Sequence, residues 1–114
     1  MREIKLKETD YNDAFKSASY KQSMGGDSYK AFLGTSDNGA DITVLIGREP
    51  LVSKELKWHM SISCKEALND DAIRQIVKKC WPSDVRYGMM KSDSFGLHYT
   101  HFYEANAAGD GAEN

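Results

Sequence analysis

The run Trp58–Ser63 constrains the fold most, because apolar and polar side chains alternate strictly along it. Side chains two residues apart on a β-strand point to the same face, so this alternation is typical of a strand buried on one face. The two sets are Trp58, Met60 and Ile62 on one side, and His59, Ser61 and Ser63 on the other. The run therefore predicts a sheet whose apolar face is covered by another layer.

A helix that could cover this face follows soon after in the sequence. Asn69 is a favourable N-cap residue, and Asp70 and Asp71 would complement the helix dipole in the first turn. The apolar positions then recur at helical spacing: Ala72, Ile73, Ile76, Val77 and Cys80. Because Pro82 ends the pattern, we predict a helix over Asn69–Trp81 that packs on the apolar face of the strand.

Four further segments have the composition of strands: Tyr29–Gly34, Ile42–Gly47, Val85–Lys91 and Leu97–Glu104. Asn38-Gly39 lies between the first two and predicts a tight turn with positive φ angles. The loop between the last two, around Asp93 and Gly96, is polar. We predict an α+β fold, a mostly antiparallel sheet of about five strands with one main helix packed on one face.

The expected domain covers residues 1–104 as a single unit. Within it, residues 1–26 form either a helical or a mobile arm, because the apolar spacing over 9–23 is helical but diluted by polar residues. Residues 105–114 are small, polar and acidic, so we predict a disordered tail.

Composition argues against several classes of function. The net charge of −2 and the pI near 5.9 lack the basic excess of a sequence-independent nucleic-acid binder. No segment is long and apolar enough to span a membrane, and the first residues lack the apolar core of a signal peptide. We therefore expect a cytoplasmic protein that contacts neither membranes nor, directly, nucleic acid.

Two of the three histidines precede a serine or a threonine by two residues. His59 precedes Ser61, and His98 precedes Thr100. These pairs resemble the twin motifs of the two-histidine phosphoesterase superfamily. The resemblance implies that one imidazole would activate the attacking hydroxyl and the other would protonate the leaving oxygen, while the hydroxyls bind phosphoryl oxygens. The chain is short for the two lobes of that superfamily, so we favour a protein that is not an enzyme.

Strand parity tests the phosphoesterase hypothesis. It requires His59 and His98 on one face of the sheet, and it fails if the face of His59 carries Tyr99, His101 and Tyr103 instead.

A zinc site is the second hypothesis for the histidines. Its four ligands would be His59, Cys64, His98 and His101. The competing interpretation is that Cys64 and Cys80 are small core residues, in which case the protein needs no cofactor.

The last two predicted strands are rich in aromatic residues and methionine, the types that dominate binding hot spots. The candidate partner-binding residues are Tyr87, Met89, Tyr99, Phe102 and Tyr103. Strands that are apolar on both faces must be covered by another layer on each face of the sheet, and the single predicted helix can cover only one of these faces. The second cover would be the N-terminal segment or a partner subunit, which makes a homodimer one alternative.

Four segments occur in an order that carries a wider resemblance: Trp58–Ser63, Asn69–Trp81, Val85–Met90 and His101–Glu104. They resemble, in turn, a Trp-His-x-Ser-Val-Ser-like strand, a helix, an aliphatic strand and a closing His-Leu-Trp-Glu-like strand. This is the arrangement of a small phage-encoded domain family of unknown function. The resemblance implies a phage or prophage accessory protein that binds a host or phage protein. Inhibition of a bacterial defence system, as by an anti-CRISPR, is one such role.

Overall fold

The computed structural model describes residues 3–9, 27–50 and 56–105. The predicted arm falls mostly, and the predicted tail almost entirely, outside these residues. The described elements are β1 (Lys7–Thr9), β2 (Asp27–Thr35), β3 (Asp41–Pro50), β4 (Leu56–Cys64), α1 (Asp70–Cys80), β5 (Tyr87–Ser94) and β6 (Leu97–Glu104).

The strands form one antiparallel sheet in the order β1-β2-β3-β4-β6-β5. The α+β fold with a mostly antiparallel sheet is therefore confirmed, but the described residues contribute six strands instead of about five. The additional strand, β1, has only three residues and no apolar alternation that could have revealed it. β1 and β5 are the two edges of the sheet.

The core is built from residues that lie directly opposite each other on neighbouring strands. Ile46 on β3 faces Met60 on β4, which faces Phe102 on β6. All three are at most 1% exposed. Ile73 and Ile76 of α1 belong to the same buried cluster, so α1 covers this side of the sheet, as predicted. We call this side the α1 face.

The two ends of α1 are formed by the residues that the sequence indicated. The Asn69 side-chain oxygen accepts a hydrogen bond from the backbone N–H of Ala72 at 2.8 Å, which satisfies a free N–H of the first turn. At the other end, the backbone N–H of Trp81 donates to the Val77 carbonyl at 2.9 Å. The helix itself begins at Asp70, one residue after its cap.

Trp81 connects the end of α1 to the last two strands. Its indole Nε1 donates a hydrogen bond to the Val85 carbonyl at 2.8 Å. Its ring lies edge-on to Tyr87, with centroids 5.9 Å apart, and 6.2 Å from the ring of Phe102. Since Trp81 is 5% exposed, these contacts belong to the core.

The turn between β2 and β3 is tight, as predicted, but only its glycine has a positive φ. Gly39 has φ +86°, whereas Asn38 is not in the left-handed region. The N–H of Gly39 donates to the Ser36 carbonyl at 3.0 Å, and the N–H of Ser36 donates to the Ala40 carbonyl at 2.8 Å. This is the longer type of hairpin loop, in which a left-handed glycine follows an ordinary turn.

The turn between β5 and β6 is the shorter type. Ser94 pairs with Leu97, so only Phe95 and Gly96 connect the strands. Both have positive φ, 52° and 77° respectively. Positive φ at both central residues defines the type I′ turn, which suits the twist of a two-residue hairpin.

The segment before β1 passes over the α1 face. Ile4 is 6% exposed within the core, and its N–H donates to the side-chain oxygen of Gln75 on α1 at 2.8 Å. Gly34 on β2 permits this close approach. A Cβ at that position would lie 2.7 Å from a Leu6 methyl carbon and 2.9 Å from the Lys5 carbonyl oxygen.

We predict that Ile76→Ala lowers the free energy of unfolding by roughly 2–5 kcal/mol, because it leaves a cavity between α1 and the sheet. Ile76 is 0% exposed. Urea unfolding followed by circular dichroism measures the change, with Arg74→Ala on the exposed side of the same helix as control. A loss below about 0.5 kcal/mol, the range of surface substitutions, would contradict the docking of α1.

Candidate functional site

The register between β4 and β6 decides which of the predicted site residues meet. Three cross-strand pairs share the face opposite α1: His59 with Tyr103, Ser61 with His101, and Ser63 with Tyr99. We call this the His59 face.

The phosphoesterase hypothesis is not supported by this register. His98 lies opposite Cys64, and Thr100 lies opposite Ile62, both on the α1 face. The two histidine–hydroxyl pairs are therefore on opposite faces of the sheet, where they cannot flank one phosphate. The face of His59 carries the residues that the sequence argument named as excluding this enzyme: Tyr99, His101 and Tyr103.

The predicted zinc ligands are divided between the same two faces. His59 and His101 lie on the His59 face, whereas Cys64 and His98 lie opposite each other on the α1 face. Strand periodicity is the cause, because residues an odd number apart on one strand point to opposite sides. Within residues 3–9, 27–50 and 56–105, no group of three or more His, Cys, Asp or Glu side chains is placed to hold a metal ion.

The two cysteines match their expected role as small apolar residues. Cys64 is 1% exposed and belongs to the core cluster, and Cys80 packs against that cluster from α1. Burial raises the pKa of the Cys64 thiol and raises that of Cys80 to about 11. Both are therefore protonated thiols at neutral pH, which disfavours metal binding and nucleophilic attack.

The His59 face gathers a buried set of polar side chains that the sequence had assigned to different roles. Exposure is 8% for His59, 4% for Ser61, 6% for Ser63 and 2% for Tyr99. Such burial leaves little room for a substrate at these hydroxyl and imidazole groups. These four polar side chains therefore form a buried polar layer on the His59 face of the sheet.

His101 is the half-buried member of this layer. Its ring stacks on that of Tyr99, with centroids 5.7 Å apart and an interplanar angle of 12°. Its Nε2 lies 3.2 Å from the Ser92 hydroxyl on β5, a contact that the sequence analysis did not identify. Burial, and secondarily the neighbouring charge of His59, lower the pKa of His101 below its ordinary value of 6.5.

The predicted partner-binding residues divide by exposure. Tyr99 and Phe102 are 2% and 1% exposed, so both are core residues and that part of the prediction is wrong. Tyr87, Met89 and Tyr103 are 44%, 47% and 43% exposed and are available for contact.

Two further exposed apolar residues belong with these three. Met90 on β5 is 58% exposed, and Phe95 in the turn is 87% exposed. We call the combined set the hairpin surface: Tyr87, Met89, Met90, Phe95 and Tyr103. The methionine content of β5 was visible in the sequence, whereas the segment around Phe95 was interpreted as a polar loop.

The hairpin surface wraps around both sides of the sheet edge. Tyr87 and Met89 lie on the α1 side, since they pair with Glu104 and Phe102. Met90 and Tyr103 lie on the His59 side. The Tyr103 ring lies over Gly88, where a Cβ would come within 2.4 Å of the ring. An aromatic side chain thus covers the glycine of the edge strand.

The backbone of β5 is also accessible. Seven of its eight residues are exposed, the exception being Gly88. The N–H of Ala105 donates to the Arg86 carbonyl at 2.9 Å. Because hydrogen bonding alternates along an antiparallel pair, every second residue from Arg86 faces β6. The N–H and C=O groups of the intervening residues therefore point outward: Tyr87, Met89, Lys91 and Asp93.

A cleft of about 250 Å³ lies between the β2–β3 loop and the start of α1. Its polar groups are engaged within the protein. The Ser36 hydroxyl oxygen accepts from the N–H of Ala40 at 3.0 Å, and the Asn38 amide lies 3.3 Å from both carboxylate oxygens of Glu66. These contacts hold the loop against the segment that precedes α1.

Comparisons with known protein families, with curated proteins and with solved structures found no match. The resemblance to a phage-encoded domain family therefore stays a prediction. In the part of the chain that the structure describes, no helix is long and apolar enough to cross a bilayer.

We predict that the protein loses stability as the pH falls below about 6.5, in part because of His101. The unfolded chain takes up a proton there at the ordinary pKa, whereas the folded chain, whose pKa is lower, resists it. His101→Gln should therefore reduce the loss of unfolding free energy between pH 7.5 and pH 5, as measured by urea unfolding.

His98→Gln is the control for the loss of an imidazole, because the His98 side chain is 43% exposed. If His101→Gln and wild type lose the same stability between the two pH values, the half-buried imidazole does not contribute as described.

Proposed function

We propose that this chain is a phage or prophage accessory protein that acts by protein–protein binding through the hairpin surface. The observation that carries the proposal is Phe95, which is 87% exposed and has φ 52°. A non-glycine residue in the left-handed region costs about 1–3 kcal/mol, and an exposed phenyl ring gains nothing from burial. Asn would suit this turn better. Phe95 therefore contributes little to the fold, and a contact with another molecule would account for it.

The residues around Phe95 support the same function. Met90 and Tyr103 are adjacent on one side of the hairpin, and Tyr87 and Met89 on the other. Aromatic residues and methionine contribute disproportionately to binding energy, and an exposed cluster of them on a small domain is typical of an interface. The flexible methionines can adapt to the shape of a partner.

The proposed partner is a host or phage protein in the cytoplasm of the infected cell. We propose inhibition of a bacterial defence system, such as the action of an anti-CRISPR, as the biological role. This part rests on the resemblance of Trp58–Ser63 and the segments after it to a phage-encoded domain family. Binding alone can block a defence protein, so the role requires no catalytic group and no cofactor.

We predict that Phe95→Asn keeps or raises the melting temperature, because Asn tolerates positive φ, and weakens partner binding by about tenfold or more. Immobilised wild type should retain a protein from a bacterial lysate that the variant does not. The affinity of the purified partner is then measured for both. Expression of wild type, but not of the variant, should raise phage plating on a host with an active CRISPR system.

Leu33→Thr is the matched control, because Leu33 is an exposed apolar residue on β2, outside the hairpin, with 39% exposure. It should bind the partner like wild type. Equal retention of the partner by Phe95→Asn and wild type would contradict the assignment of the hairpin surface.

A further inference from the structure

We infer that the outer edge of β5 pairs with the same edge of a second copy of this chain, forming a twofold antiparallel dimer. The inference goes beyond the proposed function and is argued from different atoms of the same hairpin. It concerns the backbone edge and its charges, whereas the proposal rests on the exposed ring of Phe95.

The first support is the accessible backbone of β5. Its outward N–H and C=O groups belong to Tyr87, Met89, Lys91 and Asp93, and all four residues are exposed. An edge strand of eight residues with such groups is a template for strand addition. An added antiparallel strand continues the hydrogen bonding of the sheet.

The second support is the placement of two opposite charges on that edge. Lys91 and Asp93 are two residues apart, and their cross-strand partners are Thr100 and His98, so both side chains lie on the α1 side. In an antiparallel pair of β5 strands with the twofold axis at Ser92, residues 90–94 of the two copies overlap, and Lys91 lies opposite Asp93 of the second copy. The symmetry produces this ion pair twice.

The charges also favour the pairing with the axis at Ser92 over the pairing that is shifted by one residue. Moving the axis by one residue, to Lys91, sets the two Lys91 side chains opposite each other, which is unfavourable. His98 Nδ1 lies 2.7 Å from the Asp93 carboxylate and holds it on the required face.

A charge-swap series tests the dimer. Wild type should show a concentration-dependent dimer in sedimentation equilibrium and light scattering. Lys91→Asp sets carboxylates opposite each other and Asp93→Lys sets ammonium groups opposite each other, so each should raise the dimer dissociation constant by about tenfold or more. The double variant K91D/D93K restores opposite charges and should dimerise like wild type.

Lys65→Asp is the control for a charge change at an exposed site outside β5. Its dissociation constant should equal that of wild type, and circular dichroism verifies that each variant folds. A wild-type protein that is monomeric at every concentration overturns the inference. So does a dimer that neither single variant weakens, or one that the double variant does not restore.

The two proposals fail separately. A monomer that still captures a partner through Phe95 refutes the dimer and supports the proposed function. A charge-dependent dimer whose capture of lysate proteins is unchanged by Phe95→Asn supports the dimer and refutes the proposed function.

Discussion

The pairing of β4 with a strand on each side is the constraint on which the rest of the structure depends. Met60 lies between Ile46 and Phe102 on the neighbouring strands. These three residues form an apolar row across the sheet, and α1 packs on it. Because side chains alternate along a strand, the same pairing places His59 on the opposite face. A slip of one residue would exchange the two faces and expose the core row. The burial of the apolar row therefore determines where every histidine of the last strand points.

The local elements could be predicted from the sequence, because their signals lie within a few residues. The alternation in Trp58–Ser63 and the Asn69 cap of the following helix are both of this kind. The relation between β4 and β6 is not local. Whether His98 or His101 joins His59 depends on the register of two strands separated by a helix and another strand. A sequence pattern shows which residues of one strand share a face. Which face of a second strand lies on the same side of the sheet is decided by long-range pairing.

Besides the strand register, the solvent exposure of individual side chains could not be predicted from the composition. The sequence identified the last two strands as rich in contact-forming residues, and β5 and β6 look alike in that respect. Their exposure depends on the sheet order and on the face that each side chain occupies, since β6 is enclosed, β5 is an edge, and α1 covers only one face. Phe102 is consequently a core residue, whereas Met90 is on the surface. The connection at Phe95 was predicted only as a polar loop and not as a type I′ turn, because Phe is rare at positive φ and this geometry usually selects Asn-Gly.

The two edges of the described sheet differ in a way that limits how large an assembly it can form. β1 has three residues, with Lys7 and Glu8 exposed, and offers little backbone for a further strand. β5 offers eight residues. If strands are added only at β5, a twofold pair of β5 strands covers that edge in both copies. Such a pair is closed by its twofold symmetry, so strand addition at β5 alone would not extend into fibres.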